Sequence, residues 1–269
     1  MVGLAPPRTD TVAGPHGPLE ILTRGRGEPH TLFVHGLAGS ITTTRPYAGV
    51  VPGRRTFVHI AGHGASTPAP HVDYAALAQE VWAAADQVHA ASVLGISMGA
   101  GAILNGLTTD PSRFRAVVLV LPAALDRPRA DAAMDRFAGL ARLLRTADAD
   151  AVAQHLCAQE PPEVRASGQG RRWCRDQAER LAAGRADAAL LGIPHQVPVA
   201  DATSLSAVRV PVLVLAQEED PVHPVGVARE VTRSLPFAHL EVFGPGGHMW
   251  AHRERVRAIV GDFVDQHGA

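Results

Sequence analysis

The chain contains no lysine. All 25 basic residues are arginine, which excludes a Schiff-base lysine and a serine–lysine dyad from its chemistry. Cysteine is scarce too: Cys157 and Cys174 are the only two, in one helical region. That argues against a disulfide framework and for a reducing, cytoplasmic setting. Neither cysteine ends a strand or sits in a nucleophile motif. Net charge is nearly lacking, at −1, so nothing electrostatic calls for nucleic acid or an anionic membrane as partner. No apolar run approaches membrane-spanning length. Met1 to Thr11 carries two prolines and no apolar core of the signal-peptide kind. No His/Cys/Asp cluster has metal-ligand spacing and no G-x-G-x-x-G follows a strand, so neither a metal nor a dinucleotide cofactor is expected.

What is present is a chain of 269 residues, 46% apolar and 19% charged. It can bury a sizeable core as one large domain, or as one domain with an insertion. Its focus is Ala91 to Leu104. Val93 to Ile96 reads as a buried strand, and Ala100 to Leu107 as an apolar helix. Between them Gly95-Ile96-Ser97-Met98-Gly99 fits the G-x-S-x-G nucleophile elbow. Serine at so sharp a turn sits in strained backbone, and flanking glycines spare the strand and helix a collision. The helix N-terminus aims free N–H groups toward Ser97, where a negative oxygen would develop.

Around this centre the chain alternates. Asp10 to Thr23 reads as a hairpin through Gly14 and Gly17. Thr31 to Val34, Arg55 to Ile60, Ala116 to Leu121, Val210 to Ala216 and His239 to Phe243 read as strands. Asp73 to His89, Val225 to Ser234 and Arg253 to Gln266 read as helices. Such alternation predicts an α/β fold, a mostly parallel sheet with helices on both faces. The rhythm breaks from Pro122 to about Val208, where only helical patterns occur: Ala130 to Arg145, Asp148 to Gln159, Arg171 to Ala183 and Ala186 to Leu191. The glycine-rich loop His35-Gly36-Leu37-Ala38-Gly39 follows a strand directly, which makes the Leu37 N–H a candidate oxyanion donor beside that of Met98.

A serine nucleophile needs a base, and the base an orienting acid. Asp220 follows one buried strand and His248 sits in a glycine-rich loop after the next. The chain order Ser97, Asp220, His248 is that of the α/β-hydrolases. Glu218 and Glu219 are rival acids, with Asp220 at the motif position; His223 and His252 flank the site in sequence.

His35-Gly36, Gly62-His63-Gly64-Ala65-Ser66, the elbow at Ser97, Val210 to Pro224 and Gly247-His248, taken in order, make the chain resemble the α/β-hydrolase superfamily over nearly its whole length. The resemblance implies Ser97 as nucleophile, His248 as base, Asp220 as acid, and the Leu37 and Met98 N–H groups as oxyanion hole. It implies a hydrolase core over 1–122 and 209–269, and a helical cap over 123–208. Two positions depart from the pattern: Gln217 stands where a glycine commonly precedes the acid loop, and His59 where an aspartate often precedes Gly-His-Gly. Neither does chemistry in the family, so local loop differences are expected. A serine at the nucleophile position disfavours dehalogenase and epoxide-hydrolase chemistry, which uses aspartate there.

The expected activity is hydrolysis of a carboxylic ester, lactone or thioester, in that order, through an acyl-enzyme on a small-molecule acyl substrate; the elbow and small cap resemble those of carboxylesterases and enol-lactone hydrolases. The alternatives are a thioesterase or acyltransferase of a biosynthetic pathway and, in another class, a ligand-binding or inactive protein of the same fold. Candidate substrate contacts are Met134, Phe137, Leu140 and Trp173 from the cap, with His35, His223 and Trp250.

Overall fold

The computed structural model describes residues 8–69, 71–129, 133–146, 148–183 and 187–269. Eight strands form one sheet: β1 (Asp10–Gly14), β2 (Gly17–Arg24), β3 (His30–Val34), β4 (Arg54–Val58), β5 (Ser92–Ile96), β6 (Ala116–Val120), β7 (Val212–Gln217) and β8 (Ala238–Phe243). Their order is β1-β2-β4-β3-β5-β6-β7-β8. β1 and β2 close the expected hairpin between Gly14 and Gly17, and β2 runs antiparallel to β4. The pairings from β4 across to β8 are all parallel.

The helices divide into three sets. α1 (Ile41–Thr44), α2 (Tyr74–Val88) and α3 (Met98–Leu107) accompany the first strands. α4 (Ala133–Thr146), α5 (Ala149–Ala158), α6 (Pro162–Ala166), α7 (Gly168–Ala183) and α8 (Asp187–Gly192) lie between β6 and β7. α9 (Val225–Ser234) and α10 (Arg253–His267) complete the chain. Asp73 starts α2 as expected, its carboxylate accepting the Ala76 N–H at 2.7 Å. The predicted helix starts at Ala130 and Ala186 lie outside the described residues.

Side-chain alternation along the strands splits the core into two layers. Leu32, Val34, Val93 and Leu119 face one way and pack with Leu77 and Val81 of α2 and Leu104 of α3. Phe33, Leu94 and Val118 face the other way and pack with Val256, Val260 and Val264 of α10. Strands β3, β6 and β7 are buried along their whole length, which is why they read as unbroken apolar runs rather than alternating ones.

The helices between β6 and β7 have a core of their own, built on Leu140, Ala141, Val152, Ala178 and Leu181, with Phe137 and Leu144 at its margin. This segment leaves and rejoins the sheet domain at one place, where the Val199 N–H donates to the Leu125 carbonyl at 3.1 Å. Among the described residues no helix is long and apolar enough to cross a membrane.

Candidate active site

The turn from β5 into α3 holds Ser97 at φ 50° and ψ −106°. A side chain in such a region costs about 1–3 kcal/mol and persists only where the surroundings enforce it. Here the Ser97 N–H donates to the Val120 carbonyl of neighbouring β6, and the Ser97 carbonyl accepts the Gly101 N–H, both at 2.9 Å. The glycines of the elbow supply space. A β-carbon on Gly95 would stand 2.6 Å from the Gly99 backbone, and one on Gly99 would stand 2.7 Å from the His35 carbonyl and 2.8 Å from that of Val34.

Ser97 Oγ lies 3.0 Å from Nε2 of His223, and His223 Nδ1 lies 2.9 Å from Oδ2 of Asp220. The other Asp220 oxygen accepts the backbone N–H groups of Val222 at 2.8 Å and His223 at 3.0 Å. Burial by itself would raise the Asp220 pKa, but the His223 ring and these backbone donors outweigh it and hold the pKa at about 2. Asp220 is therefore ionised at neutral pH and faces an imidazole it can orient.

His248, the base expected from the sequence, stands elsewhere. The loop after β8 rises into one wide helical turn, Gly247–Ala251, and buries His248. Its Nε2 pairs with the Tyr47 hydroxyl, and its backbone N–H donates to the side-chain oxygen of Gln217. Burial pushes the His248 pKa down to about 4; nearby His223 acts in the same direction and Asp220 opposes it. Burial also raises the Tyr47 pKa. The pair is a neutral imidazole against an un-ionised phenol. The structure thus brings Ser97, Asp220 and His223 into one hydrogen-bonded row and leaves His248 outside it. The spacing behind this is in the sequence: Asp220 and His223, three residues apart with Pro221 and Pro224 beside them, can close on each other within one turn.

Leu37, Met98 and Ser97 line one cleft, of about 310 Å³ including its mouth. Among the described residues, neither the Leu37 nor the Met98 N–H has a hydrogen-bond acceptor. Leu37 is presented by a tight turn in which the Gly39 N–H donates to the Gly36 carbonyl at 2.9 Å and Ala38 takes φ 57°. His35 braces that turn and does not reach the cleft. It is fully buried, its Nδ1 donates to the Gly36 carbonyl at 2.7 Å, and its Nε2 accepts the Ile60 N–H at 3.2 Å. Burial, with His63 and His59 close by, holds the His35 pKa well below the ordinary value.

The two departures from the family pattern each hold a neighbouring loop. His59 Nε2 accepts the Ile41 N–H at 2.9 Å while its Nδ1 meets Glu20 at 2.8 Å, tying the start of α1, just after the Leu37 loop, to β2. Gln217 fixes the loop that carries His248.

Of the expected substrate contacts, Phe137 lines the cleft, as do Tyr74, Arg129 and Ile193. Met134 and Leu140 lie outside it, Leu140 being buried among the helices between β6 and β7 because its stripe packs on α5, α7 and α8. Trp173 and Trp250 meet edge to face, 5.9 Å between ring centroids, and Trp250 Nε1 donates to Glu160 at 3.0 Å. They join the helical segment to the turn carrying His248. His252 bonds the Gly244 carbonyl at 3.2 Å. Among the described residues no three His, Cys, Asp or Glu side chains converge so as to hold a metal ion.

A largely parallel sheet with a strained serine at a strand-to-helix turn, facing an imidazole and a carboxylate, is the plan of the α/β-hydrolases. The model of the alpha/beta hydrolase family matches residues 31–261, and the chain belongs to that family. Among solved structures it is similar to a thermophilic esterase from Thermogutta terrifontis, with TM-score 0.75, 18% identity, and coverage of 98% of this chain and 100% of that one. It is also similar to the carboxylesterase CesB from Bacillus subtilis, with TM-score 0.79, 18% identity, and coverage of 96% and 91%. A third is an esterase from Exiguobacterium antarcticum, with TM-score 0.78, 18% identity, and coverage of 95% and 98%. No curated protein sequence matches the chain.

Proposed function

We propose that this protein is a serine hydrolase that cleaves carboxylic esters of small molecules through an acyl-enzyme on Ser97. The observation that carries the reading is the contact of Ser97 Oγ with an imidazole whose other nitrogen meets an ionised aspartate. The unengaged Leu37 and Met98 N–H groups on the same cleft support it, as does the naming of three similar folds as esterases.

In the reaction the imidazole takes the Ser97 proton as Oγ bonds to the substrate carbonyl carbon. The oxyanion that forms is held by the Leu37 and Met98 N–H groups, each worth about 10²–10³-fold in rate. The imidazolium then protonates the departing alkoxide as the C–O bond breaks. Water repeats the sequence and releases the acid, with Asp220 ionised throughout. Lactones and thioesters would react by the same steps. The small cleft favours short acyl groups.

The test is intact mass after exposure to a fluorophosphonate, with Ser97→Ala beside the wild type, followed by p-nitrophenyl esters of increasing chain length. A single adduct on the wild type and none on the variant is expected, with turnover best for acetate to butyrate. An unlabelled wild type that turns over no ester would overturn the reading and favour a binding role.

A further inference from the structure

The cleft beside Ser97 has a charged wall that the reaction itself does not use. Among the described residues that line it, Arg129 alone carries a charge, and none carries a carboxylate. We propose that the substrate is an ester bearing a carboxylate, held at this wall by the Arg129 guanidinium and the Tyr74 hydroxyl. The proposal rests on the serine-hydrolase reading above and names the substrate class of the same site.

Three observations carry it. The first is placement. Arg129 and Ser97 line one cleft, so an ester bonded at Ser97 lies in the field of the guanidinium. Leu37, Met98, Phe137 and Ile193 make much of the remaining wall apolar, which strengthens that field.

The second is Tyr74. It is 6% exposed, yet among the described residues nothing hydrogen-bonds its hydroxyl. Buried hydroxyls ordinarily have a partner, and one in a cleft wall can find it in a ligand. Burial raises the Tyr74 pKa to about 12, against the pull of Arg129, so the phenol keeps its proton and can donate it. Its ring lies over Gly101 of α3, one turn beyond Ser97, where a β-carbon would collide with it. Gln196 on the same wall is already engaged, its Nε2 donating to the Val72 carbonyl at 3.1 Å.

The third is hydration. Arg129, with Ala123 and Ala124, also borders a second hollow against α9, lined there by Pro224 and Val227. A carboxylate at Arg129 keeps part of its water, so its desolvation costs less than in a closed pocket. Its two oxygens suit a forked guanidinium and a phenol together. A neutral tail leaves the phenol without a partner, and a cationic one is repelled by Arg129.

Esters similar in size and differing in charge test this: p-nitrophenyl hydrogen glutarate against p-nitrophenyl valerate, and meta-carboxyphenyl acetate against phenyl acetate. The first pair carries the carboxylate on the acyl half, the second on the alcohol half. In at least one pair kcat/KM should be about ten- to hundredfold higher for the charged ester, mostly through KM. Arg129→Gln should collapse that preference, Arg129→Lys should keep part of it, and Tyr74→Phe should lower it several-fold. Circular dichroism checks that each variant folds. Calorimetric binding of glutarate to Ser97→Ala, lost when Arg129→Gln is added, is a readout that needs no turnover. Equal kcat/KM within both pairs would overturn the proposal, as would a preference that survives Arg129→Gln. A wild type without any Ser97 adduct would instead remove the reading beneath it, and glutarate binding through Arg129 would then uphold the anion site alone.

Discussion

The indole N–H of Trp250 donates to the Glu160 carboxylate at 3.0 Å, joining the turn that carries His248 to the connection between α5 and α6. Burial raises the Glu160 pKa, the indole opposes it, and the nearby Asp220 charge adds to it. Trp250→Phe leaves this half-buried carboxyl without its donor. A loss of about 1–2 kcal/mol is expected, read from urea denaturation. Faster amide exchange in residues 149–166 than in the sheet would show the tether has gone.

Strain at Ser97 gives a second expectation. Glycine adopts φ 50° and ψ −106° freely, whereas alanine does not. Ser97→Gly should abolish turnover and stabilise the protein by about 1 kcal/mol relative to Ser97→Ala. Thermal melts of the two inactive variants measure the difference, and equal midpoints would mean that the elbow stores no strain.

Two glycines should respond oppositely to alanine. On Gly99 the new carbon meets main-chain oxygens at 2.7 and 2.8 Å, and backbone cannot step aside cheaply. Gly99→Ala should cost several kcal/mol or prevent folding. Gly226, in α9, has nothing within 4 Å of that point. Gly226→Ala should be neutral or stabilise by about 0.5–1 kcal/mol. Denaturation midpoints test both.

Buried histidines set the acid limit. His63 and His248 are held near pKa 4 and His35 well below its ordinary value, in each case chiefly by burial. Unfolded, each takes a proton near 6.5. Between about pH 4 and 6.5 the unfolded chain therefore binds more protons, so stability is whole above 6.5 and falls as pH drops toward 4, by up to about 1.4 kcal/mol per pH unit per histidine. Glu80 works against them: burial lifts its pKa to about 7, so its contribution is present below 4.5 and lost as pH rises through 7. Three histidines outweigh one carboxyl. The urea midpoint should be lower at pH 5 than at pH 7, and His63→Gln should flatten the difference.

Much of this was legible in the sequence because buried parallel strands leave apolar runs and the elbow has fixed spacing. Val93 to Ile96, Val225 to Ser234 and the cap at Asp73 fall where expected. Short pieces escaped: α1 and α6 have four and five residues, too few for a period to show. In the candidate site, Ser97 and Asp220 stand at strand ends, as the sequence reading places them. That His223 stands beside Ser97 and His248 against Tyr47 could not be read, because it depends on how Gln217, Tyr47 and Glu160 hold one loop, and those contacts join residues distant in the chain. Leu140 shows the same limit: an apolar stripe records that a face is covered, not by what.

The hydrogen bond between Val199 and Leu125 closes a ring on everything from 126 to 198. A protein whose roof enters and leaves through one doorway can exchange that roof as a cassette. The sheet beneath would keep its register, since β6 and β7 are already neighbours, and a short turn could seal the gap at little entropic expense. The helices between β6 and β7 are thus physically separable from the turn that carries Ser97, and on the serine-hydrolase proposal new selectivity can be introduced by transplanting them while Ser97 and its partners stay untouched.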